Sequence, residues 1–304
     1  MGVLRLGYMH VRVTDLEEAK RHYGYTMGLM PAHEEPGRVF YKGWDEWDHH
    51  SVVLEEGGVG LAKMGYKVAR SDDLDVYEKR AEQFGCLVER MSKGDNPEVG
   101  DGVRIVLPSE HVMELYSEMT LVGTAVGNIN PEVFPRHRAG VGAPHIDHLL
   151  CSTNDVNLID RIFNEVLDFY SVERVQTSVE DNPDHITTWM STGMRPHDIA
   201  FLDGPQGKLH HFAFGLKDWS EILHAGQIFS MDDVAVDIGP TQHSITRGET
   251  IYFFDPAGNR NEVFAGGYDA YPDRPTVIRT PDQLGKGIFY IDRELNDRFT
   301  TVMT

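Results

Sequence analysis

The chain has 304 residues, with 28 Lys and Arg against 48 Asp and Glu, a formal charge of −20, 40% hydrophobic residues and 25% charged ones. That length supplies one large core or two ordinary ones, and 12 Tyr, 14 Phe and 4 Trp exclude a solvated acidic coil. The negative field excludes nucleic acid and anionic membrane surfaces as partners; no window approaches the ~18 apolar residues of a membrane span; and Cys86 and Cys151, far apart, form neither a disulfide framework nor a CxxC pair, which fits a reducing cytoplasm.

In chain order, Leu6-Gly7-Tyr8-Met9-His10-Val11-Arg12-Val13 alternates as a strand, and Thr14-Asp15 caps an amphipathic helix running to Gly28. Short strands follow at Ser51–Leu54 and Arg104–Leu107, with a second helix near Leu74–Phe84 between them. Pro108-Ser109-Glu110-His111 turns the chain toward Glu114-Leu115-Tyr116. From Gly123 to Pro144 the sequence carries Gly127, Gly140, Gly142, Pro131 and Pro135, which no continuous helix or strand tolerates. The same order then repeats: strand Ile146–Cys151, cap Thr153-Asn154-Asp155, helix Val156–Leu167, strand His211–Phe214, helix Trp219–Ala225, strand Ile251–Phe254 and turn Asp255-Pro256-Ala257-Gly258 before Glu262-Val263-Phe264. The expectation is an α+β protein of two similar domains, each a curled sheet with helices on one side and a concave face for ligands. The boundaries expected are an N-terminal domain over 1–127, a linker over 128–144, a second domain over 145–266, and a wrapping segment over 267–304.

Among 15 His residues most serve structure or solvent, and His22, His33, His111, His137, His185 and His224 are read so. His148, His211 and Glu262 fall on three strands of the second half, able to project two imidazoles and a carboxylate into one concave face. Such a facial triad leaves positions open on an octahedral ion for substrate and dioxygen. Strand parity assigns His211 to the metal, because it shares a face with the small Ala213 and Gly215. His210, sharing a face with Phe212, Phe214 and Leu216, is expected to pack under the helices.

The stretch Thr241–Glu262 holds His243, seven residues, Ile251-Tyr252, Asp255-Pro256-Ala257-Gly258 and Glu262. It resembles the signature of type I extradiol ring-cleavage dioxygenases, and is nearest the catechol 2,3-dioxygenases. Pro144-His145-Ile146-Asp147-His148, Arg195–Phe201, Gly207–His211 and Gly285–Tyr290 match the same family, so the resemblance covers nearly the whole chain. It implies a vicinal-oxygen-chelate (glyoxalase-like) fold of paired βαβββ modules, Fe(II) on His148, His211 and Glu262, and a homotetramer. It implies that His197, His243 and Tyr252 act on a catechol-type substrate and O2, with His197 as acid and base. Trp189, Ile245 and Phe299 are expected as pocket walls. The implied reaction is meta cleavage of catechol or alkylcatechols to 2-hydroxymuconic semialdehydes. A same-fold isomerase or lyase, or a small-molecule-binding protein without redox chemistry, is the alternative, and Mn(II) suits the same ligands. In the first half His10, His50 and Glu114 are expected at the equivalent positions. Arg104 and Asp95 there replace Tyr252 and His243, so that half is expected to hold no metal.

Overall fold

The computed structural model describes residues 2–304. An eight-stranded and a nine-stranded sheet lie side by side, in the orders β2-β3-β4-β1-β5-β8-β7-β6 and β14-β15-β16-β13-β9-β12-β11-β10-β17. The first comprises β1 Val3–Val13, β2 Met30–Glu35, β3 Arg38–Lys42, β4 Val52–Glu56, β5 Gly60–Val68, β6 Leu87–Met91, β7 Gly102–Val106 and β8 Val112–Tyr116. The second comprises β9 His145–Thr153, β10 Tyr170–Gln176, β11 His185–Ser191, β12 Ile199–Asp203, β13 Lys208–Gly215, β14 Val236–Gln242, β15 Gly248–Phe254, β16 Arg260–Gly266 and β17 Val277–Arg279. Helices α1 Leu16–Lys20, α2 Ser71–Phe84, α3 Val156–Glu165 and α4 Trp219–Met231 each follow the first strand of a βαβββ module. Two modules therefore build each half, as expected, and the second sheet read backwards reproduces the first.

The caps are where the side chains require them. Asp15 and Asp155 accept from the amides of Glu18 and Leu158 at 2.9 Å each, satisfying a first-turn donor that has no helical partner. The first helix differs from the continuous run expected: past Lys20 it widens into a π-turn over Arg21–Thr26. That turn brings His22 and Tyr23 against the second half, where Tyr23 donates to Asp255 at 2.7 Å and His22 meets Asn261 at 2.9 Å. On the other side of the interface His111 donates to the Lys208 carbonyl at 3.1 Å. One apolar core runs between the sheets, joining Met9, Tyr66 and Tyr23 to Phe169, Phe212 and Phe214.

No strand or helix lies over 117–144 among the described residues, in keeping with the Gly and Pro content there. The last segment adds β17 to the edge of the second sheet and then two short helices, α5 Leu284–Ile288 and α6 Asp297–Thr301. These lay Phe289 and Phe299 against Tyr252 of the second half.

Candidate active site

Three neighbouring strands converge on one point. His148 lies on β9, His211 on β13 and Glu262 on β16, all nearly inaccessible, with one ligand atom from each inside a circle of 4.8 Å. Glu262 Oε2 is 3.0 Å from His148 Nε2 and 3.1 Å from His211 Nε2, and the two Nε2 atoms are 3.4 Å apart.

Regular alternation could not produce this arrangement, and two β-bulges do. In β13, Leu209 pairs with Cys151 and His211 with Leu150, so His210 is an extra residue. Leu209 and Phe212 then both enter the core, and His210 and His211 both face the concave side. In β9, Phe212 pairs with Leu149 and Phe214 with Ile146, so Asp147 and His148 together oppose Ala213. Ile146 and Leu149 are core, while His148 enters the pocket. Bulges of this kind re-aim side chains without breaking the sheet.

The electrostatics of the cluster call for positive charge. Burial pushes the Glu262 carboxyl up, but the facing imidazole of His148, by charge and hydrogen bond, outweighs this and holds it far below the usual carboxylate range. Burial pulls His148 down, while Glu262 and the Asp147 hydrogen bond raise it to about 9. The Nδ1 proton of His148 goes to Asp147 Oδ2 at 2.8 Å, so its Nε2 proton sits between Glu262 and His211. Burial lowers His211 to about 4. One proton thus occupies the centre of three ligand atoms, the place a cation would take.

Around this centre stand the polar groups expected on the substrate side. Tyr252 pairs directly across from Glu262 on β15 and donates to His243 Nε2 at 3.0 Å. His243 can accept there because its Nδ1 proton is given to the Ile288 carbonyl. His197, in the turn between β11 and β12, is 4% exposed, has its ring centre 3.9 Å from that of His148 at a tilt of 46°, and leaves Nδ1 with no partner. Burial, then His148, drives it far below an ordinary histidine, so it is neutral. Trp189, Ile245 and Phe299 wall a pocket over these groups, with a cavity volume of about 170 Å³.

Residues 62–120 match the Catechol 2,3-dioxygenase-like N-terminal domain and residues 114–263 the Glyoxalase/Bleomycin resistance protein/Dioxygenase superfamily. A metapyrocatechase of Pseudomonas sp. (strain CF600) is 42% identical, across 100% of this chain and 99% of that protein. The chain belongs to the metapyrocatechase family of extradiol dioxygenases. The 2,3-dioxygenase LapB from Pseudomonas sp. KL28 superposes with a TM-score of 0.89 at 40% identity, covering 93% of this chain and 99% of that one. A manganese-dependent 2,3-dihydroxybiphenyl 1,2-dioxygenase of Geobacillus genomosp. 3 is 24% identical over 96% of this chain and 95% of its own length.

Within this dioxygenase two expectations are corrected. His210 does not pack under the helices: the bulge turns it into the pocket, where its ring meets Phe299. The first-half counterparts are not His10 and His50. Glu114 and Glu262 pair with Gly65 and Ala213 respectively, and counting back through the same bulges aligns Lys63 with His211 and Tyr8 with His148. Tyr8 donates to Glu114, joined by Asn96 at 2.9 Å, Lys63 at 3.1 Å and Arg104 at 2.9 Å. Arg104 does lie opposite Glu114 as Tyr252 lies opposite Glu262, whereas Asn96 rather than Asp95 reaches the carboxylate.

Several residues of the dioxygenase site escaped notice. Asp147, which orients His148, stands in the motif beside it. Thr250, whose hydroxyl donates to Glu262 Oε1 at 2.5 Å, is two residues from Tyr252 and shares its face by strand parity. Leu284 and Ile288 reach the pocket from α5, and no local pattern announces that.

Proposed function

We propose that the protein cleaves catechol or alkyl-substituted catechols with O2 outside the two hydroxyls, giving 2-hydroxymuconic semialdehydes, with Fe(II) held by His148, His211 and Glu262. The observation that carries this reading is the triad's position at the head of an apolar pocket, beside the Tyr252–His243 pair and the unpartnered nitrogen of His197. A ferrous ion bound there supplies Lewis acidity toward the catechol oxygens and a redox partner for O2.

The protein's own groups account for the rest. Tyr252 and His243 form a polarised chain ending on the Ile288 carbonyl, able to take a hydrogen bond from a catechol hydroxyl and hold it in one orientation. His197, neutral and desolvated, presents an unpartnered ring nitrogen, Nδ1, to bound reactants and can take a proton from them and return it later, the role of a general acid and base. Trp189, Ile245 and Phe299 exclude water and suit an aromatic ring, and Leu284 and Ile288 extend the apolar wall toward a ring substituent.

Anaerobic reconstitution with Fe(II), addition of catechol and air, and measurement of O2 uptake and product mass test the proposal. Absence of O2 uptake, or opening between the hydroxyls, refutes it. Parallel loading with Mn(II) decides the metal. A cytoplasmic homotetramer completes the proposal. Light scattering checks the assembly, and the free Cys86 and Cys151 suit a reducing compartment. Among the described residues, no helix is long and apolar enough to cross a membrane.

A further inference from the structure

His210 is buried, lines the pocket, and has no part in the chemistry just described. Its two ring nitrogens have partners that fix its protons. Nε2 lies 2.6 Å from the backbone carbonyl of Phe299 in α6, and a carbonyl only accepts, so Nε2 carries a proton. The guanidinium of Arg260 has Nη1 3.4 Å from the same Nε2, much longer than the 2.6 Å carbonyl contact that fixes the proton there, and its charge disfavours a second proton on the ring. Nδ1 of His210 is therefore a bare acceptor. Nδ1 of His211 is 2.7 Å from it and must be the donor. That choice places the only ring proton of His211 on Nδ1 and leaves its Nε2 lone pair free, toward Glu262 and His148. The alternative tautomer would put a proton on Nε2, give it to Glu262, and block the position where a cation binds.

The α6 end of this chain is itself held. Arg260 donates to the carbonyls of Arg298 at 3.0 Å and Val302 at 2.8 Å, and the backbone of Thr304 pairs with that of Leu209 at 2.8 and 2.9 Å. The C-terminal segment thus docks against the bulged end of β13. The equivalent of His210 in the first half, one residue before Lys63, is Ala62, and the relay is missing where the ligand is missing.

We infer that His210 is a positioning residue which couples docking of the C-terminal helix to metal binding, by fixing the tautomer of His211 through the Phe299 carbonyl. The inference rests on His211 being a metal ligand. Orienting partners of ligating imidazoles typically set metal affinity by 10–100-fold. By reciprocity, the metal must strengthen docking of the helix as docking strengthens the metal site.

The test compares wild type, His210→Leu and His210→Asn, whose amide oxygen can take the place of Nδ1 as acceptor. Anaerobic Fe(II) affinity is measured by chelator competition, metal-free stability by urea unfolding, and helix docking by the rate of tryptic cleavage after Arg298. Fe(II) binding weaker by ~10–100-fold in His210→Leu, largely restored in His210→Asn, with tryptic protection by Fe(II) in wild type and not in His210→Leu, is the expected result. Wild-type affinity in His210→Leu overturns the inference while leaving the metal site standing. Equal losses in both variants that track their urea midpoints also overturn it, since they report a structural role. A wild type that takes up no Fe(II) removes the proposed function itself, and the inference with it.

Discussion

Lys63→Met separates the two halves of the molecule. Glu114 is wholly buried, and burial pushes its carboxyl up, yet Lys63, Tyr8 and Arg104 together hold it below its ordinary range. Removing the ammonium from a pair whose side chains are 16% and 0% exposed strands part of a buried charge. Breaking a buried pair costs about 3–5 kcal/mol, and because Arg104, Tyr8 and Asn96 still donate to Glu114, the lower end applies, about 3 kcal/mol. At ~2–4 °C per kcal/mol for a domain of moderate size, the melting midpoint should fall by about 6–12 °C. The assays are thermal unfolding, Fe(II) per chain by metal analysis, and turnover on catechol at a temperature where every variant is folded. Stoichiometry should hold at one Fe(II) per chain with kcat unchanged throughout. If Glu114→Gln instead lowers the Fe(II) content from two per chain to one, the first half binds an ion and the reasoning is refuted.

Three further outcomes are expected. Asp147→Asn removes the charge that orients His148 and meets Arg195 at 2.8 Å, so Fe(II) affinity by chelator competition should drop ~10–100-fold while the fold persists; an unchanged affinity would deny Asp147 that role. His197→Asn should slow turnover by ~10²–10⁴-fold at normal iron content, and loss of iron instead would place His197 among the ligands. His111, held at about 4 by burial despite its bonds to the Lys208 carbonyl and Ser109, binds a proton more readily unfolded than folded. Its stabilisation is therefore complete above its unfolded value of 6.5 and is lost as pH falls toward 4. Going from pH 7 to pH 5, this residue's contribution should cost about 2 kcal/mol in urea unfolding, and His111→Asn should lose that share of the pH dependence.

What could be read along the chain was whatever local pattern encodes. The caps at Asp15 and Asp155, the turns before Glu114 and Glu262, and the repeat all come from spacing within a few residues. The triad was legible because its three strands carry recognisable neighbours. His210 was misread because parity assumes a regular strand, and one inserted residue defeats it: Leu209 and Phe212 are both core, three positions apart. The same omission shifted the first half, where His10 and His50 were aligned by residue type although register selects Tyr8 and Lys63. The α5 wall lay beyond reach for another reason. Leu284 and Ile288 meet Ile245 and Trp189 only through tertiary packing across about 40 and 100 residues of chain, and no periodicity within α5 reports that.

The repeated bulges explain how one backbone came to hold two opposite chemistries. Both halves keep the extra residues, at Gly7 and Ala62 in the first and at Asp147 and His210 in the second, so both aim the next side chains at a buried carboxylate one or two strands away. A carboxylate with no exposure must be neutralised where it stands. In the first half the aimed side chains are a phenol and an ammonium, and with Arg104 they supply hydrogen bonds and charge permanently. In the second half they are imidazoles, which carry charge only on protonation, and the residue before each supplies an acceptor for its outer nitrogen instead of a cation. The carboxylate of Glu262 is then left to be balanced by something exchangeable, a proton in the metal-free protein or a dication in its place. Exchange of Lys63 for an imidazole would therefore not suffice to build a second centre, because Ala62 offers that imidazole no acceptor and Arg104 keeps the carboxylate neutralised.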